Sequence, residues 1–198
     1  MNLRAYQRQI VAYHGCERRT FEAVLLQSER LEPSTKPWDW LGKGIYFWEH
    51  GPERAYQWAV EKAGRGEIDE PAVLGAVIQL GRCFDLLDTR YTELLATAYP
   101  DLEASLAAAG RQIPRNEPRG PSDSDVLRRR LDCFVLNWVL DRLASEDSGS
   151  AFDSVRGMFR EGGECFPGSR IHLKSHIQIA VRNPHCILGY FAPHSAHQ

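Results

Sequence analysis

Between residues 89 and 147 the chain changes period, and that change constrains the fold more than any other feature. Outside this stretch, short apolar β-prone runs are separated by glycine, proline and polar clusters. Within it, "YTELLATAYPDLEASLAAAG" and "DVLRRRLDCFVLNWVLDRLASE" carry their apolar residues at helical spacing. Strands, then helices, then strands again argue for the α+β class rather than a regular βαβ alternation. A length of 198 residues suits one domain, 1–198, with 89–147 as a helical insertion within it.

The local signals fill in that frame. "RQIVAYH" reads as a strand ending on His14, with Gly15 as its breaker and Thr20 as the cap of a helix across "FEAVLLQSE". "GIYFW" is a strand, and "GPERAYQWAVEKAG" a helix with Pro52 near its start and Gly64 near its end. A strand through Ala72–Leu80 precedes the insertion, whose second helix is expected to begin near Asp125. "FDSVRGMF", "SHIQIAV" and "CILGYF" read as later strands, and "APHSAHQ" as a frayed end.

Composition excludes several classes. Apolar residues at 43% and charged residues at 25% suit a globular chain, and a net charge of −2 gives no global pull toward nucleic acid. No apolar run approaches the roughly 18 residues of a membrane span, and "MNLRAYQRQIVAYHG" lacks a signal peptide's apolar core, so no membrane partner and a cytoplasmic location are expected. The five cysteines form no CxxC pair or zinc spacing, which predicts reduced, mostly buried thiols and no metal. Arg128, Arg129 and Arg130 spread around a helix axis rather than forming a patch, so a solvated face is expected.

Three elements stand at strand ends: "YHG" at 13–15, "GKGIYF" at 42–47 with Tyr56 beyond it, and "SHIQIAVRNP" at 175–184. Each alone has an ordinary explanation as turn, core or solvent-facing strand. The glycines of "LGKGIYF" form neither GxGxxG nor a P-loop, so a Rossmann or Walker phosphate site is unsupported. Trp38, Trp40 and Trp48 are expected to serve packing first.

In that order, the three elements resemble the ADP-ribosyltransferases of the diphtheria-toxin and poly(ADP-ribose) polymerase type. The resemblance covers roughly residues 10–80 and 150–191, and it implies a split two-sheet core and NAD as substrate. It further implies that His14 holds the adenosine ribose and that the Gly15 backbone holds the nicotinamide carboxamide. Gly44 belongs to the same motif, and Tyr46 and Tyr56 flank the nicotinamide ring, where aromatic faces suit a flat heterocycle. The family often has a catalytic Glu where this chain has Gln178. A Gln can hold a ribose hydroxyl but cannot take a proton, so Glu164 or Glu161 is a candidate base. His176 lies two residues before Gln178, on the same strand face, and is a third candidate. Arg18 and Arg19 are candidates to meet the NAD phosphates.

The function implied is mono-ADP-ribosylation of a macromolecular acceptor, protein or nucleic acid, by a bacterial toxin, effector or defence factor, with an antitoxin or immunity protein as restraining partner. Three alternatives stand beside it: a catalytically inactive NAD or ADP-ribose reader, an NAD glycohydrolase, and an RNA 2′-phosphotransferase.

Overall fold

The structure is a computed structural model that describes residues 6–120, 123–146 and 151–194. The polar link expected at 145–150 and the frayed end at 192–198 fall largely outside these residues. In chain order the elements are β1 (Tyr6–Glu17), α1 (Arg18–Leu25), β2 (Ile45–Glu49), α2 (Pro52–Gly64), β3 (Pro71–Gly81), β4 (Cys83–Asp85), α3 (Thr89–Ala108), α4 (Arg130–Glu146), β5 (Ser154–Phe159), β6 (His176–Val181) and β7 (Ile187–Phe191). The strands form one open sheet in the order β4-β5-β6-β2-β1-β3-β7, antiparallel except for β4 against β5. The mixed α/β content agrees with the α+β expectation. The two sheets expected are instead one hydrogen-bonded sheet, but its central seam is thin. β1 pairs with β3 without interruption from Gln9↔Gln79 to Glu17↔Pro71, whereas β1 meets β2 only at Ala12↔Glu49 and Tyr13↔Trp48.

Two cores follow from the alternation of side chains. One takes Ile10, Ala12 and Cys16 of β1, Leu74, Ile78 and their neighbours on β3, and Ile45, Phe47, Ile179 and Val181 from across the seam. The second lies under the insertion, where α3 and α4 pack on Leu41, Phe84, Val155 and Ala180. On β5, Arg156 is buried and reaches Glu49 of β2 at 2.6 Å and Asp85 of β4 at 3.0 Å, tying three strands together. Cys16, Cys83, Cys133 and Cys186 are buried free thiols and Cys165 is exposed; burial raises the pKa of each buried one.

Three element boundaries differ from expectation. β1 does not stop at Gly15, because Gly15 pairs with Val73 and its missing side chain admits α2. A Cβ there would stand 2.2 Å from the Ala55 carbonyl oxygen. α1 is capped by Glu17 rather than Thr20: its carboxylate accepts from Arg18 N–H at 3.0 Å and from the Asp69 and Glu70 amides. α4 begins at Arg130 rather than near Asp125, because Asp123 accepts from the amides of Arg119, Asp125 and Leu127 and holds 123–128 as a turn. Val126 there has a φ of 54°, which a helix does not allow.

Candidate functional site

Where β1 and β2 part, a cavity of about 490 Å³ opens. β1 contributes His14 and Gly15, the loop before β2 contributes Ser34, Lys36, Trp38, Asp39, Trp40 and Gly44, and β2 contributes Ile45, Tyr46 and Trp48. Arg54, Trp58 and Lys62 face it from α2, Phe159 and Glu161 from the end of β5, and His176 and Gln178 from β6. Arg119 and Leu127 of the insertion also reach it.

His14 stands at the parting itself. Its Nδ1–H donates to the Tyr46 carbonyl at 2.7 Å, bridging the strands where their ladder has ended. Because a carbonyl only accepts, the proton belongs on Nδ1, and Nε2 remains an acceptor. Burial lowers the His14 pKa to about 4, with a smaller contribution from Lys62, so the imidazole is neutral at pH 7.

The run "WLGKGIY" is folded back on itself by Tyr46, whose hydroxyl accepts from Leu41 N–H at 2.9 Å and donates to the Gly42 carbonyl at 2.8 Å. Burial keeps its pKa well above the ordinary tyrosine value. Gly42 has a φ of 77°, the left-handed region that favours glycine, and a Cβ there would stand 2.6 Å from Asn137 Oδ1. That same oxygen accepts from Lys43 N–H at 3.0 Å, so α4 anchors the loop.

Gln178 sits in the middle of a cross-strand row, paired with Trp48 on one side and Gly157 on the other. The Trp40 indole N–H donates to its Oε1 at 2.6 Å. An indole can only donate, so the amide orientation is fixed and its NH₂ is the group left for a ligand. Gly157 makes this possible: a Cβ there would stand 2.7 Å from the Trp40 ring.

His176 lies on the same face two residues earlier, its ring stacked on Phe159 at 5.8 Å and tilted against Trp48 at 6.0 Å. Its Nδ1–H donates to the Lys174 carbonyl at 2.6 Å, and its buried Nε2 has no hydrogen-bond partner. Burial, with Arg54 adding to it, lowers its pKa to about 4. The 3.7 Å approach to Glu161 is therefore not an ion pair at neutral pH. Glu161 itself is committed to Arg54, whose Nη2 donates to both its oxygens at 2.7 Å, with both side chains buried.

The residues expected from sequence divide accordingly. His14, Gly15, Gly44, Tyr46, His176, Gln178 and Glu161 come together in the cavity. Tyr56 and Glu164 do not line it: Tyr56 is half-buried on α2, and Glu164 is exposed in the loop before β6, accepting from Gly168 N–H at 2.8 Å. Arg18 and Arg19 also lie outside, Arg18 over the Phe21 ring. Trp38, Trp40 and Trp48, expected to serve packing, all form wall. Arg128 and Arg130 stand over the Trp38 ring at 6.0 and 5.4 Å, Arg130 also in an exposed ion pair with Glu117, while Arg129 lies 5.0 Å over Phe159.

Sequence reasoning missed Arg54, Trp58 and Lys62, although the signal was present. They recur at i, i+4 and i+8 on α2, one face of the helix, and Tyr56 at i+2 is on another. Chemically, the cavity offers aromatic walls, two neutral imidazole acceptors, one amide donor and several cations. Among the described residues no group of His, Cys, Asp or Glu side chains is placed to hold a metal ion. Comparison of the chain with family models, curated proteins and solved structures finds no match.

Proposed function

We propose that the chain is an NAD-dependent mono-ADP-ribosyltransferase acting on a macromolecular acceptor, protein or nucleic acid. The observation that carries the reading is the convergence of His14, Gly15, Gly44, Tyr46, His176 and Gln178 on one cavity, from three separate parts of the chain. In this reading the bond between nicotinamide and the ribose C1′ breaks, its electron pair leaves with neutral nicotinamide, and C1′ bonds to the acceptor. Gln178 donates its NH₂ to a hydroxyl of the nicotinamide ribose, and His14 Nε2 accepts from the adenosine ribose. The acceptor's proton goes to His176 Nε2, an unprotonated and unpartnered base in the cavity. Glu161 is engaged by Arg54 and Glu164 lies outside the cavity, so neither carboxylate takes this role.

A second reading has its own support. Glu161 is committed to Arg54 and the Gln178 amide oxygen is occupied by Trp40, which also suits a module that binds NAD or ADP-ribose without turnover. Incubation with NAD labelled in its adenosine half separates the two. Transfer of label to protein or RNA and DNA from a lysate, with nicotinamide release falling about 100-fold or more in His14→Ala, is the expected result for the enzyme. Binding without nicotinamide release, at generous protein concentration, overturns it in favour of the reader. Nicotinamide release without label transfer identifies a glycohydrolase.

A further inference from the structure

Four buried side-chain polar atoms lack a hydrogen-bond partner among the described residues: Trp48 Nε1, Arg54 Nη1, Arg129 Nε and His176 Nε2. Arg54 Nη1 still faces Glu61 at 3.6 Å, and Arg129 does not line the cavity. The Trp48 indole and the His176 imidazole are therefore the wall residues with an unanswered polar atom. Trp48 is 3% exposed and the His176 side chain 8%. An indole N–H only donates, and Nε2 of His176 only accepts, because Nδ1 carries the proton.

Strand register brings the two together. Trp48 of β2 pairs with Gln178 of β6, and His176 is two residues before Gln178, so all three side chains rise from one face of the sheet. The Trp48 and His176 ring centroids lie 6.0 Å apart. The charges beside them are already matched, Arg54 by Glu161 at 2.7 Å and Lys174 by Glu61 at 3.0 Å. A buried donor and a buried acceptor are unfavourable until a ligand answers both. The group that does so accepts one hydrogen bond, donates another and carries no net charge. A hydroxyl meets all three conditions. A carboxylate has no proton to give, and an ammonium or guanidinium has no lone pair to offer. A carboxamide meets the count, but resonance withdraws its nitrogen lone pair from attack. A net charge of −2 favours a protein over the phosphate backbone of a nucleic acid as the bearer of that hydroxyl.

We infer that Trp48 and His176 form the acceptor subsite, and that the group it takes is the hydroxyl of a serine or threonine in a protein. The inference rests on the transferase reading above. In the step, the bond between C1′ and the nicotinamide nitrogen breaks, and its electron pair leaves on neutral nicotinamide. The hydroxyl oxygen, held by the Trp48 N–H, bonds to C1′, and its proton moves to His176 Nε2. The imidazolium so formed has its Nδ1 3.7 Å from Glu161.

Incubation of the full chain with lysate proteins and with total RNA, using NAD labelled in its adenosine half, followed by peptide and nucleotide mapping, tests the acceptor class. The expected result is label on serine or threonine, stable to neutral hydroxylamine, which cleaves the ester that a carboxylate acceptor would form. Label confined to aspartate, glutamate, lysine, arginine or RNA overturns the inference and leaves the transferase reading in place. Trp48→Phe keeps an aromatic ring and removes the N–H donor. Its label transferred per nicotinamide released is expected to fall about tenfold, the remainder going to water, with the melting temperature close to that of wild type. An unchanged ratio in the folded variant overturns the subsite as well. Nicotinamide release from wild type with no label on any macromolecule overturns the protein acceptor in favour of water. No nicotinamide release from wild type overturns the transferase reading and the subsite with it.

Discussion

His14 and His176 place the titration of the folded chain where few other side chains act. Both are held near pKa 4 by burial, against about 6.5 for an unfolded histidine. Between these values the unfolded chain binds more protons, so folding stability rises with pH across that window. Stability from this source is therefore complete above about pH 6.5 and is lost as the pH falls toward about 4. Denaturant unfolding at pH 7, 5.5 and 4.5 is expected to show a progressive decline, and a flat profile in His14→Asn/His176→Asn would assign it to this pair. Trp40→Phe keeps the ring against Phe159 but removes the donor to Gln178. If Gln178 acts as proposed, kcat for nicotinamide release falls about tenfold with melting temperature nearly unchanged. Unchanged kcat would show that the amide needs no such brace. The sequence shows which residue types belong to the site, but not their hydrogen-bond states. Trp40 looks like packing until its register against Gln178 is known, because the two are far apart in the chain and meet only through β6.

Elements were legible where local signals and packing agree. α2 begins at Pro52 and ends at Gly64 as read, since a proline start, a glycine end and an amphipathic face all point the same way. β1 and α4 were misread because a tertiary contact overrides the local signal. Gly15 is a breaker by composition, yet it is the position where α2 comes closest to β1. Gly15→Ala is therefore expected to destabilise by about 1–3 kcal/mol, read as a lower denaturant midpoint, because the methyl group collides with backbone rather than with a flexible side chain. A midpoint equal to wild type would show that α2 shifts freely. At the start of α4, Asp123 competes for three backbone amides and delays the helix, an effect invisible to apolar periodicity. Asn137→Ala removes the acceptor of both the Lys43 amide and Arg182. Its expected effect is a loss of ligand affinity larger than its loss of stability, measured by titration and melting of the same preparation.

At the scale of the molecule, the order of strands, helices and strands was readable, but the relation of the insertion to the rest was not. Periodicity reveals a helix's apolar face and not what that face covers. Here α3 and α4 cover Leu41, Phe84, Val155 and Ala180, and the turn before α4 holds Gly162 through Asp125 at 3.0 Å. The insertion is thus part of the body that shapes the cavity. Excision of 89–147 would return several fully buried side chains to water, each worth about 1.5–3 kcal/mol, and is expected to yield an insoluble or unfolded chain by circular dichroism. A soluble, cooperatively melting product would show that the strands suffice. The same arrangement has an optical consequence. Of the five tryptophans, Trp38, Trp40, Trp48 and Trp58 all line one cavity, while Trp138 lies on α4 beside Arg142. The protein's intrinsic emission is therefore dominated by the walls of a single chamber, and whatever enters it changes the colour or brightness of the chain without any attached dye.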